Sequence, residues 1–255
     1  MWAENAGDPT TVTSNGTGYT YASSDITNLY NRPDIWTPAN GATDITQANR
    51  SILWLDKDYV VIYDRATSIH SGLFKTFNLS LATSPTINGN VAKETMADGQ
   101  VLFVQSLLPQ DATLTSRYAA GDLNPHSEFD PMNYVLTVQD KTLPEDTRFL
   151  HVLQGSNANA KMVPAVYLQS KTGTLFDGVV FGTSAVFFTN KADASVTTST
   201  FTVPTSVTTF IVTGLKANAS FKVSTQASAN TVTVTLTPGG TGNVSDAAGL
   251  LMVTI

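Results

Sequence analysis

Few residues in this chain have the types and spacing that chemistry needs. It has three histidines and no cysteine among 255 residues. His126 sits in Asp122-Leu123-Asn124-Pro125-His126-Ser127-Glu128-Phe129-Asp130. An imidazole among carboxylates is a grouping that binds a cation, contacts a sugar or moves protons. Turn chemistry around Pro125 and Pro131 accounts for the same polar residues without function. A second grouping, Tyr30-Asn31-Arg32 with Trp36, has the types for sugar recognition: aromatic faces to stack on pyranose rings and a guanidinium to pair with a carboxylate. Trp36 would equally serve as a plug over an exposed sheet. The candidates are therefore His126, Arg32 and Tyr30 for catalysis, and Trp36, Arg32 and Glu128 for substrate binding.

The remaining titratable groups have plainer readings. His151 lies between Phe149 and Leu153 on one face of a strand, so a packed, hydrogen-bonded core histidine is expected. His70, in the loop Thr67–Gly72, is expected in solvent. Asp64-Arg65 ends an apolar strand, where an ion pair would order the strand end. Asp111 precedes a strand and suits a turn contact. No two of the three histidines fall at short ligand spacing, so no metal site and no cofactor are expected. The chain has no G-x-S-x-G elbow, no P-loop and no H-E-x-x-H. Paired carboxylates for glycoside hydrolysis need only be close in space, and nothing local points to them.

These residues must be carried by strands. Short β-branched and aromatic segments recur between turn signals, and helical periodicity is nearly absent. Only Thr43–Asn49 allows a turn or two of helix. In Thr231–Thr237, Val232, Val234 and Leu236 alternate with threonines, and Phe221 and Val223 repeat the arrangement. Asn88-Gly89, Asp98-Gly99 and Gly182-Thr183-Ser184 read as hairpin turns. In Lys75–Leu81, Phe77, Leu79 and Leu81 face inward, with Thr76, Asn78 and Ser80 on the polar face. Asp58–Asp64 is apolar on both faces, with Val60 and Ile62 on one and Tyr59, Val61 and Tyr63 on the other. Ile52, Leu53, Trp54 and Leu55 carry the same pattern. Such strands expect a cover: the loop Asn28–Ala42, an absent domain, or a second subunit. The fold class is all-β, a large antiparallel two-sheet β-sandwich. Residues 1–17 are expected as a flexible N-terminal segment and 18–255 as one sandwich domain, with a sub-boundary near 196 as the alternative.

Composition excludes several partners. The formal charge is −6 with 13% charged residues and no basic cluster, so nucleic acid is not an expected partner. An acidic chain meets a polyanionic sugar at a disadvantage overall, and any uronate site needs locally placed Arg or Lys. No apolar run approaches the ~20 residues needed to span a bilayer, so no membrane partner is expected. The first residues lack the basic and apolar regions of a signal peptide. With no cysteine, stability rests on packing.

Several pieces occur in an order that resembles the C-terminal β-sandwich domain of heparinase II/III-like polysaccharide lyases. They are TGYTYASSDITNLY (17–30), the run from Arg50 through Asp64-Arg65, PTINGN (85–90), VLFVQSLLPQDATLT (101–115), DTRFLHVLQ (146–154) and the closing FIVTGLKANASFKV with NTVTVTLTPGG. The resemblance covers roughly Thr17 to Ile255. It implies a supersandwich beside an (α/α) toroid that supplies most of the groups for β-elimination, and a secreted or periplasmic setting. No toroid is present in these residues. Relatives that use a sandwich histidine would show it on the polar face of Lys75–Leu81, and this chain has none there. The expected function is a non-catalytic, scaffold or glycan-contacting sandwich domain that acts on or binds acidic polysaccharide. The alternatives are a stand-alone carbohydrate-active enzyme, with a lyase acting by β-elimination as the first choice and a glycoside hydrolase as the second, or a carbohydrate-binding module.

Overall fold

The computed structural model describes residues 9–30, 44–56, 58–119 and 132–255. Strands take 59% of the chain and helix 2%, so the all-β, antiparallel sandwich class read from the sequence is the one the chain forms. The described strands fall into four sheets, and the chain gathers into two compact units, one from Ser24–Met162 and one from Thr11–Ser23 with Val163–Ile255. Within the 1–17 segment, Thr10–Gly16 forms β1. Among the described residues no helix is long and apolar enough to cross a membrane.

In the first unit one layer is built by β3 (Ile45–Leu55), β4 (Tyr59–Ser68), β11 (Asp146–Ser156), β8 (Val101–Leu108), β7 (Val91–Thr95) and β6 (Thr86–Asn88), hydrogen-bonded in that order. The second layer has three strands, β5 (Thr76–Leu81), β10 (Tyr134–Gln139) and β9 (Thr113–Tyr118), ordered β5-β10-β9. Alternation dictates the interface. Ile62 and Phe149 from the large layer meet Phe77 and Val138 from the small one. Further along, Ala92 and Val104 meet Leu81 and Leu136. The inward set Phe77, Leu79 and Leu81 is as the sequence requires, and Asn78 and Ser80 are exposed. Asn88-Gly89 opens the β6–β7 hairpin and Asp98-Gly99 the β7–β8 turn, where Gln100 N donates to the Asp98 carboxylate at 3.1 Å.

β4 is buried on both faces, and so is its neighbourhood: Leu53, Val61, Tyr63, Leu150 and Val152 line the face opposite Ile62 and are all buried. One face of β3 is only partly covered. Ile52 and Trp54 remain 37% and 48% exposed, because the three-stranded layer is narrower than the sheet it covers and packs over Ile62 and Val60 of β4 but not their β3 partners. Where the sequence allowed a helical turn, Ile45 onward is strand and pairs with β4. The helical turn lies earlier, at α1 (Thr27–Tyr30), with Asp25 accepting from Thr27 N at 3.0 Å and Thr27 Oγ1 at 2.6 Å. Thr27 Oγ1 in turn accepts from Ala48 N at 2.9 Å, which ties the turn to β3. Asp25→Ala is expected to cost about 1 kcal/mol of local stability, the usual loss of an N-cap, read as faster amide exchange at Leu29 and Tyr30.

The second unit repeats the two-layer plan. One sheet runs β12 (Val166–Gln169), β13 (Phe176–Phe181), β14 (Ser184–Thr189), β16 (Thr209–Thr213), β20 (Leu251–Thr254). The other runs β15 (Ser199–Pro204), β18 (Thr231–Pro238), β17 (Ser220–Ala227), β19 (Asn243–Val244). Phe201 of β15 centres the core, with its ring 5.3 Å from Phe176, 4.6 Å from Phe187 and 5.3 Å from Phe210. The alternating Val234 and Leu236 are fully buried and Val232 packs beside them. Gly182, at φ 54°, makes the two-residue β13–β14 turn, a conformation that glycine adopts without steric cost. Gly178 faces Phe187 across that hairpin, and a Cβ there would fall 2.2 Å from the ring, so the aromatic core requires a residue without a side chain. One pairing breaks the antiparallel rule: β14 and β16 run parallel, because the intervening β15 lies in the other sheet.

Candidate functional site

Antiparallel register places Arg50 of β3 directly opposite Asp64 of β4. The two side chains form a fork, Nε to Oδ1 at 2.8 Å and Nη2 to Oδ2 at 2.6 Å. Asp64 therefore has an ion-pair partner across the sheet at Arg50, where the sequence pointed to the adjacent Arg65; neighbours on a strand face opposite ways, and Arg65 instead lies with its guanidinium carbon 4.9 Å from the Tyr63 ring centroid. The pair raises the Arg50 pKa, chiefly through the hydrogen bonds to Asp64. Burial raises the Asp64 pKa, outweighing the downward pull of Arg50.

Arg50 opens onto a cavity of about 470 Å³. α1 brings Tyr30 to its edge, and the approach to β5 contributes Phe74 and Lys75. Tyr30 and Phe74 are 54% and 74% exposed, so both present aromatic surface at the rim. Lys75 is buried and donates from Nζ to the carbonyls of Pro144 at 2.6 Å and Leu73 at 3.3 Å. Burial lowers its pKa, partly offset by Asp146, Asp140 and Glu145. The lining includes the cations Arg50 and Lys75 and the carboxylates Asp44 and Asp64.

Behind the cavity, Phe77 links Arg50 to His151. The Arg50 guanidinium carbon is 5.3 Å from the Phe77 ring centroid, and the His151 ring is 4.0 Å from it on centroids. His151 is fully buried between the layers, as its flanking Phe149 and Leu153 require, but it is not hydrogen-bonded: neither Nδ1 nor Nε2 has a partner. Its ring packs against Phe77 and Phe149. Burial first, and the Arg50 charge second, lower its pKa from 6.5 to about 3. The ring is neutral and closed off from solvent.

Of the residues named as catalytic or binding candidates from sequence, Tyr30 is among the described residues and stands at this cavity. Arg32, Trp36, His126 and Glu128 lie outside the described residues, as does most of the covering loop Asn28–Ala42. His70 is exposed, as expected. Arg50, Phe74 and Lys75 were missed. Arg50 and Asp64 are separated by 14 positions around one hairpin, and that spacing, read with the hairpin's register, is the signal that would have found the pair. Among the described residues no three His, Cys, Asp or Glu side chains gather as a metal site needs. The arrangement offers a cation and aromatic faces to a ligand. The Asp64 carboxylate is forked to a guanidinium and the nearby imidazole is sealed, so neither of these two is poised for proton transfer.

No family profile matches the chain, and no curated protein matches it. Solved structures do. The heparan sulfate lyase HepC from Pedobacter heparinus aligns with TM-score 0.49 and 15% identity over 67% of this chain and 26% of its own. Heparinase III aligns with TM-score 0.49 and 11% identity over 70% of this chain and 26% of its own. The heparinase III BT4657 gene product aligns with TM-score 0.47 and 12% identity, over 67% and 26% respectively. The chain thus spans about a quarter of the length of each of these proteins.

Proposed function

We propose that this chain is a glycan-contacting, non-catalytic β-sandwich part of a heparinase II/III-like polysaccharide lyase architecture, and that its first unit holds an acidic sugar. The cavity at Arg50 carries the reading. It sets the Arg50 guanidinium beside two exposed aromatic faces in a chain that is otherwise acidic. Aromatic faces stack on sugar rings, and a guanidinium beside them recognises a carboxylate or sulfate. The ordered motifs from Thr17 onward support the lyase architecture. The sealed His151 and forked Asp64 support a binding role over acid–base work.

The test is affinity electrophoresis through heparin, alginate, hyaluronan and ulvan, with ultraviolet absorbance of the same mixtures to detect an unsaturated product. Retardation on at least one acidic polymer is expected, without a rise in absorbance. Tyr30→Ala and Phe74→Ala should each weaken retention about fivefold, the value of one aromatic contact of ~1 kcal/mol. A robust absorbance rise that a point substitution in this chain abolishes would overturn the non-catalytic role. Retention on none of the polymers would overturn the binding role.

A further inference from the structure

The exposed ring of Phe74 stands on the connection from β4 to β5, residues 69–75, which forms neither strand nor helix. A ring on such a stretch adds to affinity only as far as the backbone beneath it is fixed before the ligand arrives. The neighbouring turn from β10 to β11 supplies the fixing. Three successive carbonyls of that turn accept hydrogen bonds from the strand end and the connection: Leu143 O from Gly72 N at 2.7 Å, Pro144 O from Lys75 Nζ at 2.6 Å and Glu145 O from Ser68 N at 3.0 Å. Leu143 stands in this turn at φ 48°, a left-handed conformation that a bulky residue rarely adopts and that persists where its surroundings over-determine it. Lys75 Nζ donates also to Leu73 O at 3.3 Å. That carbonyl belongs to the peptide bond leading into Phe74. The Lys75 side chain therefore closes a ring around Phe74 and moors it to the turn. Burying an ammonium costs far more than burying an apolar side chain of similar length. What the charge adds is strong hydrogen bonds to two carbonyls, one on each connection.

We propose that Lys75 is a positioning residue of the glycan site, holding Phe74 at the cavity rim so that its ring is in place before an acidic sugar binds. The inference rests on the reading that the cavity takes an acidic sugar. A double-mutant cycle tests it, read by affinity electrophoresis of the full chain through heparin, alginate, hyaluronan and ulvan. Lys75→Met should weaken retention about threefold, because the ordering of Phe74 then falls on the binding step. In the Phe74→Ala background Lys75→Met should have no further effect, whereas beside Tyr30→Ala it should still cost about threefold. Amide exchange at Phe74 should quicken in Lys75→Met. If that variant does not fold, Lys75→Gln, which keeps an N–H donor of shorter reach, takes its place in the cycle. A loss that persists undiminished in the Phe74→Ala background would mean that Lys75 meets the anion itself, and the positioning role is overturned. Unchanged retention with a lowered Tm in Lys75→Met would make the lysine a stabilising tie alone, which also overturns it; the cavity reading then stands if Phe74→Ala and Tyr30→Ala weaken retention. If the wild-type chain is retained by none of the four polymers, the cavity reading falls and this inference with it.

Discussion

Acidification from pH 6.5 to pH 3 is expected to remove about 5 kcal/mol of stability through His151 alone, and His151→Leu or His151→Phe should abolish that loss. The folded chain does not protonate this ring until pH is about 3, whereas the unfolded chain protonates it near 6.5. Between those values the unfolded state binds more protons, so stability falls as pH falls. The contribution is fully present above 6.5. At 1.36 kcal/mol per pH unit the gap is of order 5 kcal/mol. Asp64 acts with the opposite sign, because burial raises its pKa above 3.8 and its protonation favours the folded chain as pH falls through that raised value. The difference between wild type and the His151 variants isolates the histidine. Urea denaturation at intervals from pH 7.5 to pH 3 measures it. At neutral pH the substitutions forfeit no hydrogen bond, since neither ring nitrogen makes one, and packing decides the small remainder. Parallel pH profiles for variant and wild type would show that His151 is not sealed.

Arg50→Met is expected to destabilise the first unit by about 2–3 kcal/mol at neutral pH. The substitution keeps much of the side-chain volume over Phe77 but leaves the buried Asp64 carboxylate without its fork. Breaking a fully buried pair costs about 3–5 kcal/mol. The lower figure applies because the Arg50 side chain retains 39% exposure, and solvent screens part of the interaction. The loss should diminish on acidification, because Asp64 without its partner protonates more readily and a neutral carboxyl is easier to bury. The double substitution Arg50→Met with Asp64→Leu should recover most of the stability, since removing both partners of such a pair leaves no orphaned charge. Thermal denaturation of the three variants at pH 7 and pH 4.5 checks this. An Arg50→Met variant as stable as wild type would mean that Asp64 is not held by the fork.

The local rules carried the strands far. Turn residues located the hairpins at Asn88-Gly89 and Gly182-Thr183, because left-handed backbone restricts residue type so strongly. Alternation named the inward set of β5 and the buried pairs of β17 and β18. What alternation lacks is width: it gives Ile52 and Trp54 the same weight as Ile62, and only the extent of the opposing layer separates them. His151 shows a similar limit. Its flanking residues identified a core position, and the usual satisfaction of buried polar groups argued for a partner that neither ring nitrogen has. The Arg50–Asp64 fork depends on register across a hairpin. Of that grouping only Tyr30 lies among the described residues, and it meets the cavity through a capped helical turn that the sequence placed elsewhere.

The parallel pairing of β14 with β16 bears on how the second unit is assembled. These neighbours in one sheet are joined through β15, a strand of the opposite sheet. The two layers are therefore interlaced by the chain, and neither can be completed from a continuous stretch of sequence. Closing β14 on β16 requires β15 to have crossed already, and β15 is held by β18, some thirty residues on. Its loop-closure entropy must be met before the aromatic core repays it. The unit should accordingly form in a single concerted event, and a nick in the β14–β16 connection would separate the sheets rather than trim a loop.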